Sequence, residues 1–352
     1  MCSPTIVGTS SMSKIQNRKK DHVNLTVTDE TQYQLSSGFE RYRFIHNALP
    51  EVNLNDVSIE AELLGHTFSA PLFISSMTGG YADAGPVNGI IAEFCNQHNL
   101  PFGVGSQRAM LEQLELTSTF SIVRKKAPKA FICANIGGVQ LIDGFSDDYL
   151  KRLVESIEAN AIIVHLNPLQ ELVQPEGDRN FKGVLNGIED LVKRSDVPVI
   201  VKETGAGISK YVAKRLLNIG VSVIDIAGAG GTSWARVENG RTDDSNRYNH
   251  FNEWGIPTVD CLKDLSGLHW ERGFELIASG GIRSAHDIAK AMCLGATFSA
   301  TAQPIIKAVV EEGYEGLESL FNTWSNELKM ILLLLGCSNL AELNRSHLME
   351  RI

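Results

Sequence analysis

Four polar side chains lie close together in the segment HLNPLQE. His165, Asn167, Gln170 and Glu171 fall within seven residues of one another. Glu171 supplies the hard oxygen ligand that Mg²⁺ prefers, and Mg²⁺ commonly bridges one carboxylate to the phosphates of a substrate. A solvated loop carboxylate is the alternative for a single glutamate. The segment therefore indicates metal-assisted phosphate chemistry, with an ordinary loop as the competing interpretation.

A lysine ends the otherwise apolar run PVIVK. The ammonium of Lys202 comes directly after Val201, and an ammonium at the inner end of a buried strand needs an anionic or electron-rich partner. A flavin or a substrate phosphate would supply that partner. An ion pair with Glu203 or Glu171 is an equally consistent explanation.

Two adjacent glycines lie in the segment SGGIR, at Ser279–Arg283, and the segment TAQP follows at Thr301–Pro304. Glycine lets the backbone approach an anion closely. Barrel enzymes frequently bind phosphate after strands seven and eight, with backbone N–H groups and a helix N-terminus. Both segments follow the last two of the apolar runs given below. We therefore expect a phosphate site here, with a simple tight turn as the alternative.

The overall charge makes local cations important for any anionic ligand. The net charge of −9 argues against a nucleic-acid surface, which is built from clustered lysine and arginine. Arg18, Lys19 and Arg108 are candidates for a clamp on a diphosphate, because guanidinium groups bind phosphate oxygens in pairs. For the two N-terminal residues, a solvated tail is the alternative.

Eight short apolar runs, bounded by Gly, Pro or Asn, must position these side chains. They alternate with segments of helical periodicity, which is typical of parallel βαβ units. The runs are Pro71–Ser75, Pro101–Gly105, Ala130–Ala134, Ala161–His165, Pro198–Lys202, Val221–Ile226, Phe274–Ser279 and Thr297–Thr301. Eight runs in strict alternation predict an α/β fold that closes as a (β/α)8 TIM barrel, with an open doubly wound sheet as the alternative. The polar motifs would then share the C-terminal rim of the barrel.

The remaining segments predict additions to one barrel domain. Residues 1–16 are expected to be a flexible N-terminal extension, and residues 17–352 a single domain. The polar stretch Glu238–Asn252 predicts an exposed loop insertion after strand six. Extra C-terminal helices are expected at Glu315–Leu335 and Leu340–Ile352. The predicted barrel helices are Val87–Gln97, Asp147–Glu158, Val184–Lys193, Ser209–Asn218 and Ala285–Leu294, with Ser209 and Ser284 as N-caps.

Composition excludes several other classes of protein. No stretch approaches the 18 or so apolar residues of a membrane span, and the N-terminus lacks the apolar core of a signal peptide. We therefore expect a cytoplasmic protein that binds neither membrane nor nucleic acid. The six cysteines form no C-x-x-C pair, so neither a zinc site nor a disulfide framework is indicated.

The motifs together resemble a known family. NRKKDH, MTGG, GSQR, HLNPLQE, VKETGAGIS, GAGGTSW and SGGIRSAHDIAKAMCLGA occur between about Asn17 and Pro304, in the order found in type 2 isopentenyl diphosphate isomerase, an FMN-dependent barrel enzyme. The resemblance implies that reduced FMN and Mg²⁺ convert isopentenyl diphosphate to dimethylallyl diphosphate, with NAD(P)H serving only to reduce the flavin. It also implies a homo-oligomer, a tetramer or larger. Two departures are the sequence SATAQP after strand eight, where the family more often has Gly-Met-Ala, and Ala206 in place of a larger residue.

The resemblance also implies roles for individual residues. It assigns FMN to Ser76, Met77, Thr78, Ser106, Asn135, Lys202 and Thr232, and the FMN phosphate to Gly281, Ile282, Arg283, Ala302 and Gln303. It assigns the substrate to Arg18, Lys19, Ser106, Gln107, Arg108 and Gln170, and Mg²⁺ to Glu171. A proton beside a developing cation is strongly acidified, so even the amide of Gln170 suffices to orient or accept it, while the flavin supplies the acid. An FMN-dependent oxidoreductase on the same barrel is the alternative function.

Overall fold

The computed structural model describes residues 21–81, 83–142, 144–241 and 247–351, and its centre is a closed parallel barrel. Each strand pairs with its neighbours in chain order, and the last strand pairs with the first. The barrel strands are β1 (Leu72–Ile74), β2 (Phe102–Gly103), β3 (Ile132–Gly137), β4 (Ala161–Leu166), β5 (Val199–Glu203), β6 (Val223–Asp225), β7 (Glu275–Ala278) and β8 (Phe298–Thr301). The predicted eight-stranded barrel is confirmed.

Helices surround the barrel and follow most of its strands. They are α1 (Ala84–His98), α2 (Arg108–Glu112), α3 (Ser118–Lys126), α4 (Asp147–Glu155), α5 (Pro168–Val173), α6 (Val184–Arg194), α7 (Lys210–Asn218), α8 (Trp234–Gly240), α9 (Thr258–Arg272), α10 (Ala285–Cys293) and α11 (Gln303–Leu335). Residues 21–26 are also helical. Both predicted N-caps are confirmed: the Ser209 side chain accepts from the Val212 N–H, and the Ser284 side chain from the Asp287 N–H. Such caps satisfy backbone donors that the helix itself leaves unpaired.

Short segments complete the described structure. Turns of 3-10 helix occur at Asp29–Thr31, Phe39–Arg41, Leu54–Asp56, Leu114–Thr117, Gly138–Leu141, Asn249–Phe251, Leu340–Glu342 and Arg345–His347. A hairpin of Ala61–Leu63 and His66–Phe68 packs Leu63 and Phe68 against the apolar residues inside the barrel. The hairpin therefore closes the end of the barrel opposite the rim.

Three sequence predictions about local structure require correction. Glu238–Asn252 was expected to be an exposed loop. Its described residues 247–252 are mostly exposed turns and 3-10 helix, but its first residues belong to α8, and Glu238 is fully buried because α8 packs on α5. Residues 242–246 of that stretch lie outside the described residues. Leu340–Ile352 was expected to be helical. Instead it contains 3-10 turns and the strand Leu348–Glu350, which pairs antiparallel with Tyr42–Phe44 and so joins the two ends of the described chain.

The third difference is a shift of strand β3. The strand begins and ends later than the predicted Ala130–Ala134, so Asn135 lies within it. The five described cysteines are all buried free thiols. Among the described residues, no helix is long and apolar enough to cross a membrane.

Candidate active site

A layer of polar side chains covers the apolar interior of the barrel. Side chains alternate between the inside and outside of a barrel strand, so an inward residue recurs every second position. The apolar inward residues Phe73, Cys133, Ile163, Ile200, Val223 and Ile277 form one cluster. Two positions further along each chain segment lie Ser75, Asn135, His165, Lys202, Asp225 and Ser279. The change from apolar to polar marks the floor of a site at the C-terminal rim.

The floor opens into a first cavity, chamber A, beneath the loops after β6, β7 and β8. Its lining includes Gly231, Gly280, Gly281 and Ala302. A Cβ added to Gly280, whose φ is +95°, would lie 1.9 Å from a backbone oxygen, and one added to Gly231 would lie 2.7 Å from the Gly281 nitrogen. These loops therefore approach so closely that only glycine fits.

Chamber A fits a phosphate-bearing cofactor. Among the described residues, the backbone N–H groups of Gly281 and Ile282 donate to no acceptor. The N-terminus of α11 also lines the chamber, through Ala302 and Gln303, and a helix N-terminus favours an anion. The buried hydroxyl of Ser76 has no hydrogen-bond partner within the described part of the chain, and it lines the same space. An anionic group bound at this glycine cradle would accept hydrogen bonds from these unpaired donors.

A second cavity, chamber B, lies against α5 and β2–β4. Its lining includes Ser106, Arg108, Asn135, Gln170 and Glu171. The two chambers share His22, Ser76, Met77, Lys202, Thr204 and Trp234. Adjacent chambers with a shared wall suit a cofactor and a substrate in contact.

Helix α5 presents the polar groups of chamber B. The Asn167 amide donates to Gln170 Oε1 at 3.1 Å and to Glu171 Oε1 at 3.0 Å. The other Glu171 oxygen accepts the Asp178 N–H at 2.8 Å. Arg108 lies nearby, 3.7 Å from the Asp178 carboxylate. One asparagine therefore fixes the orientation of both side chains that the sequence analysis singled out.

A buried glutamate on α8 contacts Gln170 from the other side. Glu238 Oε1 accepts from Gln170 Nε2 at 2.8 Å and lies 2.9 Å from His22 Nε2, while Arg241 pairs with the other oxygen at 2.5 Å. Burial alone would raise the pKa of Glu238. The hydrogen bonds and charges of His22, Gln170 and Arg241 outweigh burial and lower that pKa. Glu238 is therefore an anion held against the Gln170 amide.

Comparison with known proteins agrees with this geometry. Residues 168–350 match the FMN-dependent dehydrogenase family model. A protein of Nostoc sp. named isopentenyl-diphosphate delta-isomerase is 41% identical over 348 residues, which cover 98% of each chain. The chain belongs to the type 2 isopentenyl-diphosphate delta-isomerase family. A second relative with that name, from Chlorobium limicola, is 43% identical over 96% of this chain and 97% of its own.

A solved structure supports the fold of this isomerase family. The flavin-binding domain of baker's yeast flavocytochrome b2 superimposes with a TM-score of 0.68. The match covers 92% of this chain and 79% of the yeast chain at 21% sequence identity. At that identity the likeness is evidence for the barrel alone, because one fold serves many reactions.

The structure brings most of the residues expected from the isomerase family into the two chambers. Chamber A contains Ser76, Met77, Lys202, Thr232, Gly281, Ile282, Arg283, Ala302 and Gln303. Chamber B contains Thr78, Ser106, Arg108, Asn135, Gln170 and Glu171, as well as Ser76, Met77 and Lys202. Arg18 and Lys19 lie outside the described residues.

Two expected ligand residues have structural partners instead. Gln107 is fully buried and lines neither chamber; its amide donates to Leu153 O at 3.1 Å, and its oxygen accepts the Asn135 N–H at 2.9 Å. The backbone N–H of Arg283 donates to the Asp287 carboxylate at 3.0 Å, so that donor is not available to a phosphate. The Arg283 guanidinium lines chamber A and holds Gln32 at 2.6 Å.

Several residues of the site had no role predicted from the sequence. His22 and Trp234 appear within the family motifs NRKKDH and GAGGTSW, and their rings contact edge to face at 5.0 Å over the shared wall. Their membership of those motifs could have identified them from the sequence. Glu238 and Asp225 could not be identified in that way, because Glu238 lies in a polar stretch that gives no indication of burial. The aspartate within VSVIDI resembles any residue at the end of a strand.

Proposed function

We propose that this protein converts isopentenyl diphosphate to dimethylallyl diphosphate, with FMN in chamber A and the substrate in chamber B. The observation that carries the proposal is the shared wall at Lys202: it joins a glycine cradle suited to a cofactor phosphate to a chamber that holds Gln170 and Glu171. Family membership supports the same reaction. The reaction moves a double bond, so one proton is added to the terminal carbon and another is removed from C2.

Gln170 is the residue that we assign to the proton at C2. Its amide oxygen accepts from Asn167 and keeps a second lone pair, while its N–H donates to anionic Glu238 at 2.8 Å. Charged acceptors form stronger hydrogen bonds than neutral ones. The bond that the Gln170 N–H donates to the Glu238 carboxylate therefore polarises the amide and increases the electron density on its oxygen. Gln170 is therefore a better proton acceptor than a free amide, and its orientation is fixed before the substrate arrives.

Bound reduced FMN would supply an exchangeable proton and an electron-rich face beside the developing positive charge. The residues that would hold it are the glycine cradle, Ser76, Thr232 and Lys202. Lys202 is the cation of the polar layer within the described residues, and it faces both chambers. We propose that the Lys202 ammonium balances the negative charge of the reduced cofactor. NAD(P)H would serve only to reduce the flavin.

Glu171 would hold Mg²⁺ against the substrate diphosphate. Among the described residues, no group of three or more His, Cys, Asp or Glu is placed to hold a metal ion. That finding fits Mg²⁺, which is commonly bound through one carboxylate and the phosphates of a substrate. Arg108, with Arg18 and Lys19 from the N-terminal segment, would complete the diphosphate site. A cytoplasmic homo-oligomer remains our expectation.

The deciding experiment follows turnover and solvent protons together. Enzyme, reduced FMN, Mg²⁺ and isopentenyl diphosphate are incubated in deuterated water without further reductant. Double-bond migration changes no oxidation level, so many turnovers should follow one reduction, and deuterium should appear in the new methyl group. Product that stops at one equivalent per flavin would replace this function with an FMN-dependent oxidoreductase. Sustained turnover without deuterium would keep isomerisation but remove the exchangeable acid.

A further inference from the structure

A buried aspartate lies beside Lys202 inside the barrel. Lys202 on β5 and Asp225 on β6 are partners in the strand register, and both point inward, two positions after Ile200 and Val223. Lys202 is 9% exposed and Asp225 is 4% exposed. A buried ammonium is stable only when it is paired or hydrogen-bonded. The Lys202 Nζ donates to the Glu203 backbone oxygen at 2.5 Å, which leaves its charge to be balanced by a carboxylate.

Asp225 is held in place from the opposite side. Its Oδ1 accepts from the Ser279 hydroxyl at 2.5 Å and from the Ala227 N–H at 3.1 Å. Burial raises the pKa of Asp225, and the charge of Lys202 opposes that rise. Ser279 comes directly before Gly280, so a hydrogen bond links the cofactor cradle after β7 to Asp225, which is the register partner of Lys202 on β5.

The other buried carboxylate near Lys202 has different partners. Glu203 directs one oxygen, Oε2, at the N–H groups of the following loop and accepts from Thr204 and Gly205 at 2.6 Å each, from Gly207 at 3.2 Å and from Ala206. Four backbone donors already compensate that oxygen. Asp225 accepts one backbone donor and one hydroxyl, so it is the carboxylate whose charge Lys202 must balance within the polar layer.

We propose that Asp225 is a positioning residue that acts through Lys202: its buried carboxylate, on the neighbouring strand, offsets the positive charge that Lys202 presents to the flavin at the wall between the two chambers. The inference rests on the proposed binding of FMN in chamber A. An ammonium with no carboxylate partner would stabilise an added negative charge more strongly. Asp225 therefore limits how far Lys202 favours the reduced, anionic cofactor over the oxidised one.

The test measures the FMN midpoint potential of the full-length holoenzyme at pH 8. Asp225→Asn keeps an oxygen that can accept from Ser279 and Ala227 but removes the charge. We expect the ratio of reduced to oxidised FMN affinity to rise at least about ten-fold, which is about 30 mV for a two-electron couple. Ser279→Ala removes a hydroxyl donor that partly neutralises the Asp225 carboxylate. The FMN midpoint potential of Ser279→Ala should therefore fall, whereas that of Asp225→Asn should rise.

A matched control separates charge from damage to the barrel. Glu275→Gln also removes a partly buried carboxylate, but Glu275 lies at the start of β7, where it accepts the Leu64 N–H at the closed end of the barrel. Its potential should equal that of the unaltered protein. An unchanged potential in Asp225→Asn, or shifts of the same sign in Asp225→Asn and Ser279→Ala, would overturn the inference. Failure of the unaltered protein to bind FMN would instead refute the proposed function.

Discussion

Replacing Glu203 with glutamine isolates the cost of burying one carboxylate beneath the active site. Burial is the main cause that raises the pKa of Glu203, to about 7 from an ordinary 4.5, against the opposing loop N–H groups and Lys202. A group whose pKa is higher in the folded protein binds protons more tightly there than in the unfolded chain. Its contribution to stability is therefore complete below about pH 4.5 and is lost as the pH rises through 7.

The size of the effect follows from the two pKa values. Each pKa unit corresponds to about 1.4 kcal/mol, so the contribution of Glu203 should fall by about 2.5 kcal/mol between pH 5 and pH 8.5. The glutamine of Glu203→Gln cannot ionise, so the free energy of unfolding of this variant should not show the decline of about 2.5 kcal/mol between pH 5 and pH 8.5. Urea unfolding of the FMN-saturated protein, measured at half-unit steps of pH, gives the difference between the two curves.

An exposed carboxylate provides the control for this measurement. Glu60 is exposed and lies far from the rim in the segment before the hairpin, so Glu60→Gln should follow the unaltered protein at every pH. The difference curve of Glu203→Gln should change steadily between pH 5 and about 7 and be flat above that. Parallel stability curves for Glu203→Gln and the unaltered protein would show that Glu203 ionises normally in the folded state and would refute the reasoning.

Three further substitutions test the chambers separately. Gly280→Ala should weaken FMN binding at least ten-fold, because its Cβ would lie 1.9 Å from a backbone oxygen. Gly273→Ala places its Cβ in open space, so it should lower stability by about 1 kcal/mol through its positive φ and leave FMN binding unchanged. Fluorescence titration of FMN distinguishes the two variants. Glu171→Gln should abolish most activity with unchanged FMN affinity, and an unchanged Mg²⁺ titration would place the metal elsewhere. Glu238→Gln should lower kcat at least ten-fold and change KM less, because Gln170 loses its anionic partner. Steady-state kinetics in which KM changes more than kcat would contradict the role of Glu238 as the partner of Gln170.

The barrel was predictable because its strands are buried on both faces. Runs such as Ala161–His165 and Pro198–Lys202 are apolar up to their last residue. The first ends one residue before the observed strand, and the second is displaced from the observed strand by one residue at each end. Polar groups at the ends of such runs must share one rim, so the association of Gln170, Lys202 and the glycines of SGGIR followed from topology. Each of these predictions depended on the order of elements along the chain.

What escaped prediction depends on contacts between segments distant in sequence. Glu238 lies in a polar stretch, and its burial arises only when α8 packs on α5 and brings His22 to it from 216 residues away. Gln107 has the same local setting as Arg108, yet its side chain turns inward to Asn135 and Leu153. A motif identifies which segment reaches the rim, but packing decides which side chain of that segment faces the ligand.

The site brings a diphosphate to a place already rich in buried carboxylates. Glu203 is compensated by loop N–H groups, Asp225 by a hydroxyl and one N–H group, and Glu238 by an imidazole and a guanidinium. Each of these three carboxylates is therefore screened from the substrate by donors of the protein itself. From the described residues, Glu171 accepts one amide N–H and one backbone N–H, so it keeps lone pairs and a charge that no described cation neutralises at hydrogen-bond distance. If the substrate diphosphate binds beside that carboxylate as proposed, a divalent cation would be needed between them, which is the physical reason for our proposal that Mg²⁺ binds Glu171 rather than its better-compensated neighbours.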